Sequence, residues 1–258
     1  MKKRIFKSAT IESIDFNKIE HESFLTQWFM SYCILVSSAE RFIVKSCSQG
    51  MRQSTNQVLN NNLKVCFFQE IQHAESHEIF NELYFHQNKL IQIFSNFSSF
   101  INYKVIAAFA PLSLKISIAS AMEQLNAEIA YYGLSHIRDL TSNPEFSDIL
   151  VWHFVEEIEH RDYVFDLMKE LKINFMIQKI GMILVLFSFS FWITAGALII
   201  NSRTGFRKFE LFQLFSTDHL LERFYKSSKK YLTKNYHPSH EQVPFAFYNY
   251  QRKFKDLQ

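Results

Sequence analysis

A chain of 258 residues can bury a sizeable core and suits one domain of ordinary size with an appendage. With 5 Gly and 4 Pro it lacks the turn-rich rhythm of a β-sandwich or barrel, and a formal charge of +3 is too small to imply nucleic acid. The 28 Phe are read first as a compositional bias away from Gly, Ala and Pro, and only then as a mark of lipid handling.

The N-terminal Met1-Lys2-Lys3-Arg4 is basic but is followed by no long apolar run, so no secretory signal is expected. Four helices then follow, predicted near residues 22–47, 63–90, 111–133 and 144–171. The polar stretch 53–62 separates the first two. Pro111 suits the first turn of the third helix and Gly133 its end. Asn143 can cap the fourth, with Pro144 in its first turn. Cys33, Cys47 and Cys66 form no C-x-x-C pair and fall among apolar residues at helical spacing, which reads as core thiols in a reducing compartment.

Residues 180–200 carry no charge between Lys179 and Arg203. A helix of that length spans about 30 Å, enough for a bilayer core. A single span would put the preceding helices and the basic tail on opposite sides, against the positive-inside tendency. Gly196 offers a bend for a re-entrant path, and Phe206, Phe209, Phe212 and Phe215, interleaved with Arg207 and Lys208, suggest an interfacial helix. From Ser202 onward, eleven Lys/Arg face five Asp/Glu, so an anionic membrane surface is the expected partner. The division that follows is a helical bundle over 22–172, a membrane-associated helix over 176–201 and a basic amphipathic region over 202–258.

Two E-x-x-H motifs stand in the second and fourth helices, Glu70 with His73 and Glu157 with His160. On a helix, positions i and i+3 share a face, so carboxylate and imidazole reach a common centre. Chance supplies about one such pair in a chain of this composition, so placement must carry the argument. Glu40 lies on the stripe Cys33, Val36, Glu40, Ile43, Cys47, and Glu123 on Ile116, Ala119, Glu123, Ala127, Ala130. Each interrupts an apolar face, where an unpaired charge is costly and metal coordination is the natural compensation. The order Glu, E-x-x-H, Glu, E-x-x-H, with offsets of 30 (40 to 70) and 34 (123 to 157), is what a binuclear carboxylate site in a ferritin-like four-helix bundle requires. Glu40, Glu70, His73, Glu123, Glu157 and His160 are therefore the expected metal ligands. Against this stand a surface ion pair for Glu40 with Arg41 and a solvated acidic run over Glu156, Glu157 and Glu159. His77 and His153 divide evenly between extra ligands, supporting partners and core histidines, and Glu156 is a further candidate.

The segments Ala39-Glu40-Arg41-Phe42, Gln69-Glu70-Ile71-Gln72-His73 with His77 and Asn81, Ala121-Met122-Glu123, and Trp152-His153-Phe154-Val155-Glu156-Glu157-Ile158-Glu159-His160 resemble the bacterial family called "predicted metal-dependent hydrolase". Its pattern reads G-E-R-F-F, Q-E-x-x-H-x-x-x-H, A-L-E-H and W-H-x-x-E-E-I-E-H, and its members tend to carry an apolar segment after the last motif. Ala39 departs from the family's Gly, and Gln124 from its His.

The resemblance implies hydrolysis, whereas mixed Glu/His ligation in a bundle suits a di-iron centre that activates dioxygen. The expectation is a binuclear metal enzyme holding two ions, iron first and manganese or zinc as alternatives. It would act on a lipid-like substrate by oxygen activation, with an electron donor as partner. Two-metal hydrolysis of an ester or phosphoester is the alternative, and a non-catalytic iron-binding protein is the third reading. Membrane association is expected, with the metal domain on the cytoplasmic side.

Overall fold

In the computed structural model, residues 3–205 and 220–254 are described, and among them every regular element is helical. Two short helices, α1 (Ser8–Glu12) and α2 (Phe16–Glu20), precede the long α3 (Phe24–Met51) and α4 (Gln57–Gln87). The Ser23 side chain caps α3 through the Thr26 amide, and Asn56 caps α4 through Leu59, each satisfying a free first-turn donor. After α5 (Lys89–Ser99), a π-helical turn over Phe100–Val105 and α6 (Ile106–Phe109), the chain enters α7 (Leu112–Leu140). Then come α8 (Pro144–His160), α9 (Tyr163–Glu170) and α10 (Phe175–Arg203), followed by α11 (Leu220–Tyr231) and α12 (Phe245–Lys253). Asn143 caps α8 at Phe146 with Pro144 in the first turn, as the sequence predicts.

The bundle consists of α3, α4, α7 and α8. Asn81 donates to the Ile34 carbonyl and Arg41 pairs with Glu78, which makes α3 and α4 an antiparallel hairpin. Glu123 meets His160 and Gly133 meets Phe154, which does the same for α7 and α8. Tyr32 against Asn126 and Phe29 against Tyr132 run α3 antiparallel to α7. The two hairpins are thus joined by a long crossover, residues 88–111, and α4 and α7 point the same way. Two other elements close the bundle. The N-terminal segment lies against α4 and α8, with Phe6 stacked on Trp152. On the opposite side α10 packs along α3 and α7.

Three expectations change in detail. The third helix does not stop at Gly133 but runs to Leu140, with non-helical geometry at His136. Gly133 is there for contact: a Cβ on it would sit 2.2 Å from the Phe154 ring. The fourth is interrupted at Arg161 and Asp162, so residues 144–171 form two helices. The crossover, to which the sequence reading assigns no helix beyond residue 90, is itself mostly helical.

α10 is the one helix among the described residues long and apolar enough to cross a membrane. It is continuous through Gly196, which does not bend it. A Cβ there would lie 2.2 Å from Ser31 Oγ, so the glycine serves close approach of α10 to α3. Met182, Val185, Phe189, Ile193, Ala197 and Ile200 form its buried stripe. Only 33% of its most apolar window is buried, and Ile183, Phe187 and Phe191 point outward. The suggested interfacial helix, Phe206 to Phe215, lies outside the described residues.

Candidate metal centre

Every expected ligand lies inside the bundle. Glu40, Glu70, His73, Glu123, Glu157 and His160 are each 0–1% exposed, although their side chains are ionisable or polar. They reach one region because each sits on the inward stripe of its own helix: α3 supplies Glu40, α4 Glu70 and His73, α7 Glu123, α8 Glu157 and His160.

Two donor groups adjoin. Glu40, His73, His153 and Glu157 each offer an atom within 4.8 Å of the others, and so do Cys66, Glu70, Glu123 and His160. Glu70, His73, Glu157 and His160 satisfy the same limit across the seam, linking the two. In the first group His73 Nδ1 stands 3.7 Å from Glu40 and 3.6 Å from Glu157. His153 Nε2 stands 2.8 Å from Glu157 and 3.6 Å from Glu40. In the second, His160 lies between carboxylates, Nδ1 3.1 Å from Glu123 and Nε2 3.1 Å from Glu70.

The candidates left open separate by position. His153 stands among the donors. His77 lies behind it, its Nε2 2.7 Å from His153 Nδ1, which turns His153 Nε2 toward the carboxylates. Glu156 lies behind His73, its carboxylate 3.0 Å from Nε2, and Arg4 donates to Glu156 at 3.0 Å. Arg4 also grips Glu159 with both terminal nitrogens at 2.8 Å. The acidic run on α8 is therefore buried and partnered rather than solvated. Glu128 faces away toward Arg223, 3.4 Å off. Gln124, where the family pattern has His, donates to Ser227 and accepts from Tyr236, tying α7 to the C-terminal segment instead of the centre.

The electrostatics of this cluster ask for cations. Burial, then repulsion from Glu157 and Glu123, holds the Glu40 carboxyl well above its ordinary pKa. Burial, Glu123 and Glu157 do the same to Glu70, and burial pushes Glu157 up to about 7. Burial and the neighbouring imidazoles hold His73 well below its usual value, and His153 falls to about 3. His160 is the exception: burial lowers it, but Cys66, Glu123 and Glu70 outweigh that and hold it well above. Both oxygens of Glu40 and Glu70, one each of Glu123 and Glu157, His73 Nδ1 and His160 Nε2 are buried without a hydrogen-bond partner. Each such atom costs about 1–3 kcal/mol if left so. Protonation would neutralise the carboxyls and water could meet some lone pairs, whereas a bound cation relieves the repulsion and engages the orphaned oxygens and imidazole nitrogens together.

Several residues here escape the sequence reading. Cys66, read there as a core thiol, offers its sulfur within 4.8 Å of the Glu70, Glu123 and His160 donor atoms; its place four residues before Glu70 on one stripe is the available signal. Asn126, three residues after Glu123, accepts a hydrogen bond from the Tyr32 hydroxyl beside the donor groups. Tyr32, whose hydroxyl lies 3.2 Å from His153 Nε2, and Arg4 have no local pattern that marks them. A search of curated proteins and a search of solved structures gave no match. A family model described as "Predicted metal-dependent hydrolase" matches residues 4–242, and the chain belongs to that family.

Proposed function

We propose that the chain is an enzyme whose bundle holds two metal ions, iron first, and acts on a lipid-like substrate by oxygen activation. One observation carries the reading: two adjoining four-donor groups share an array of buried, hydrogen-bond-orphaned carboxylate and imidazole atoms. One ion fits among Glu40, His73, His153 and Glu157, a second among Glu70, Glu123 and His160 with Cys66 beside them. Two antiparallel hairpins joined by one long crossover, with a Glu and a Glu-x-x-His in each, also match the ferritin-like pattern of carboxylate-bridged centres. Bound iron would supply dioxygen reduction, with electrons from an external donor.

The chain's own groups orient and seal this site. His77 fixes the ring of His153, and the Arg4–Glu156 pair fixes that of His73. The Tyr32 hydroxyl, donating to Asn126, stands beside His153 as a polar group from the α3 side. Trp152, edge-on to His73, and the buried rings of Phe154 and Phe29 exclude bulk water.

The family description favours a second reading, two-metal hydrolysis of an ester or phosphoester. Membrane association, supported by the outward apolar face of α10, belongs to the same proposal, and so does a metal domain on the cytoplasmic side, on which that face is silent. The readings part in one assay. Iron-loaded, reduced protein is given lipid extracts or water-soluble analogues while oxygen uptake and ester cleavage are followed. Lipid-dependent oxygen uptake is expected. Ester cleavage without oxygen uptake would replace the first reading by the second, and no turnover in either channel would leave an iron-binding protein.

A further inference from the structure

We propose that the slot between α3, α10 and the π-helical turn is the port by which one hydrocarbon chain of a membrane lipid reaches the metal centre. The inner end rests on the two-metal reading above; the port itself does not.

The mouth opens on an apolar surface. The crossover helices and α10 lie side by side, with Phe94 and Phe97 against Trp192 and Ser188 bonded to Asn102. Together they expose Ile93, Phe97, Phe109, Ile183, Phe187 and Phe191. Neither residues 89–110 nor residues 175–203 contain an Asp or Glu, and Lys89, Lys104, Lys179 and Arg203 punctuate them. In water so large an apolar face is unfavourable, whereas against anionic lipid both the apolar area and the cations are used.

From that surface a cleft of about 270 Å³ leads inward, walled by Ile106, Leu184 and Phe191 outside and by Tyr103 and Met122 within. A slot of about 20 Å³ adjoins it, with Asn102, Tyr103, Ser188, Phe189 and Trp192 as the shared wall. The slot ends on Tyr32, Val36 and Ala39. Those ends are neighbours of the centre: Ala39 precedes Glu40, Met122 precedes Glu123, and the Tyr32 hydroxyl lies 3.2 Å from His153 Nε2. Tyr103 is close enough to feel the charge of Glu40.

The lining selects an alkyl chain. Ser188 donates to Asn102 Oδ1 at 2.8 Å, and Asn102 Nδ2 donates to the Ser98 carbonyl at 2.8 Å. These polar atoms thus satisfy one another, leaving Leu35, Val36, Phe189 and Ile193 as the contact surface. Of its polar groups only the Tyr103 hydroxyl and the Trp192 indole N–H are left for a ligand, with no charged side chain to hold a headgroup, and a space of about 20 Å³ favours one chain over a fused ring. At rest the slot holds little more than a water, so entry requires the half-buried Trp192 and Tyr103 to swing aside. The π-helical turn carrying Asn102 and Tyr103 is the kind of local widening that recurs at functional positions in helices.

The test is photolabelling of full-length protein in dodecyl maltoside with a stearic acid bearing a mid-chain diazirine. Labelled peptides and bound metal are measured in the same samples. Expected are saturable labels at Tyr103, Trp192 and Tyr32, competed by unlabelled stearate. Ser188→Phe should lower them about tenfold, while Ser188→Ala, which widens the slot, leaves them equal or raised. Ser188→Ala also decides the matter if the larger variant does not fold. Labels confined to Phe187 and Phe191, or unsaturable, overturn the port. Metal bound with surface labels only defeats the port and spares the metal reading; slot labels without metal support the port and defeat that reading.

Discussion

Arg4 crosses 152 positions of sequence to bind Glu156 and fixes, through it, the imidazole of His73. With Nε2 held at 3.0 Å by Glu156, Nδ1 of His73 is turned to the carboxylates. Arg4→Ala leaves the buried Glu156 without its cationic partner, and should cost about 3–5 kcal/mol in a denaturant titration. It should also weaken metal binding about 10- to 100-fold, since outer partners of a ligand histidine tune its affinity. Arg4→Lys keeps the charge but loses the forked contact to Glu159, and should recover part of both. A competition titration with a metal-sensitive dye checks this; unchanged affinity in Arg4→Ala would remove Arg4 from the account. His153 and His77 make a second contrast: His153→Gln should lose metal outright, His77→Gln should bind more weakly yet keep the stoichiometry. The inward stripes show Glu40 and Glu123 because a lone carboxylate among apolar residues is visible at helical period. Arg4 and Tyr32 are invisible that way, because their roles exist only once the segment before α1 and the helix α3 are packed against α8.

At the scale of elements, α10 and the crossover share one apolar surface. Phe187→Glu with Phe191→Glu changes side chains that are 73% and 51% exposed, so the fold should persist while flotation with anionic vesicles is lost. Retained flotation would mean that the membrane contact lies elsewhere. Gly196→Leu acts oppositely, forcing α10 from α3 at a contact of 2.2 Å, and should destabilise by about 1–3 kcal/mol or more as read by thermal unfolding. The uncharged run of α10 is plain in the sequence, but its buried stripe is not, since apolar residues occupy both faces. The crossover has no helix in the sequence reading for a related reason: its Ser98 and Asn102 turn inward and bond each other, so polar residues occupy the face that an apolar stripe would mark. Gly133 misleads likewise, a helix terminator by sequence that is held within α7 by the ring of Phe154.

For the whole molecule, the centre sits where α3, α4, α7 and α8 meet, so cations there would bind the folded chain and not the unfolded one. At a thousandfold excess over Kd such binding adds about 4 kcal/mol, and in a domain of this size each kcal/mol moves Tm by about 2–4 °C. Chelation should therefore lower Tm by roughly 10 °C. Glu70→Gln should lower the Tm of the metal-loaded protein but raise or spare that of the chelated one, because it removes one charge from a repelling set. Scanning calorimetry reads both signs.

The central claim, two ions in one bundle core, is tested most directly by metal analysis of protein purified anaerobically with iron and by the same analysis of Glu70→Ala and His160→Ala. The account predicts about two ions per chain and a marked fall in both variants. Fewer than about one ion per chain, unchanged in the variants, would contradict it.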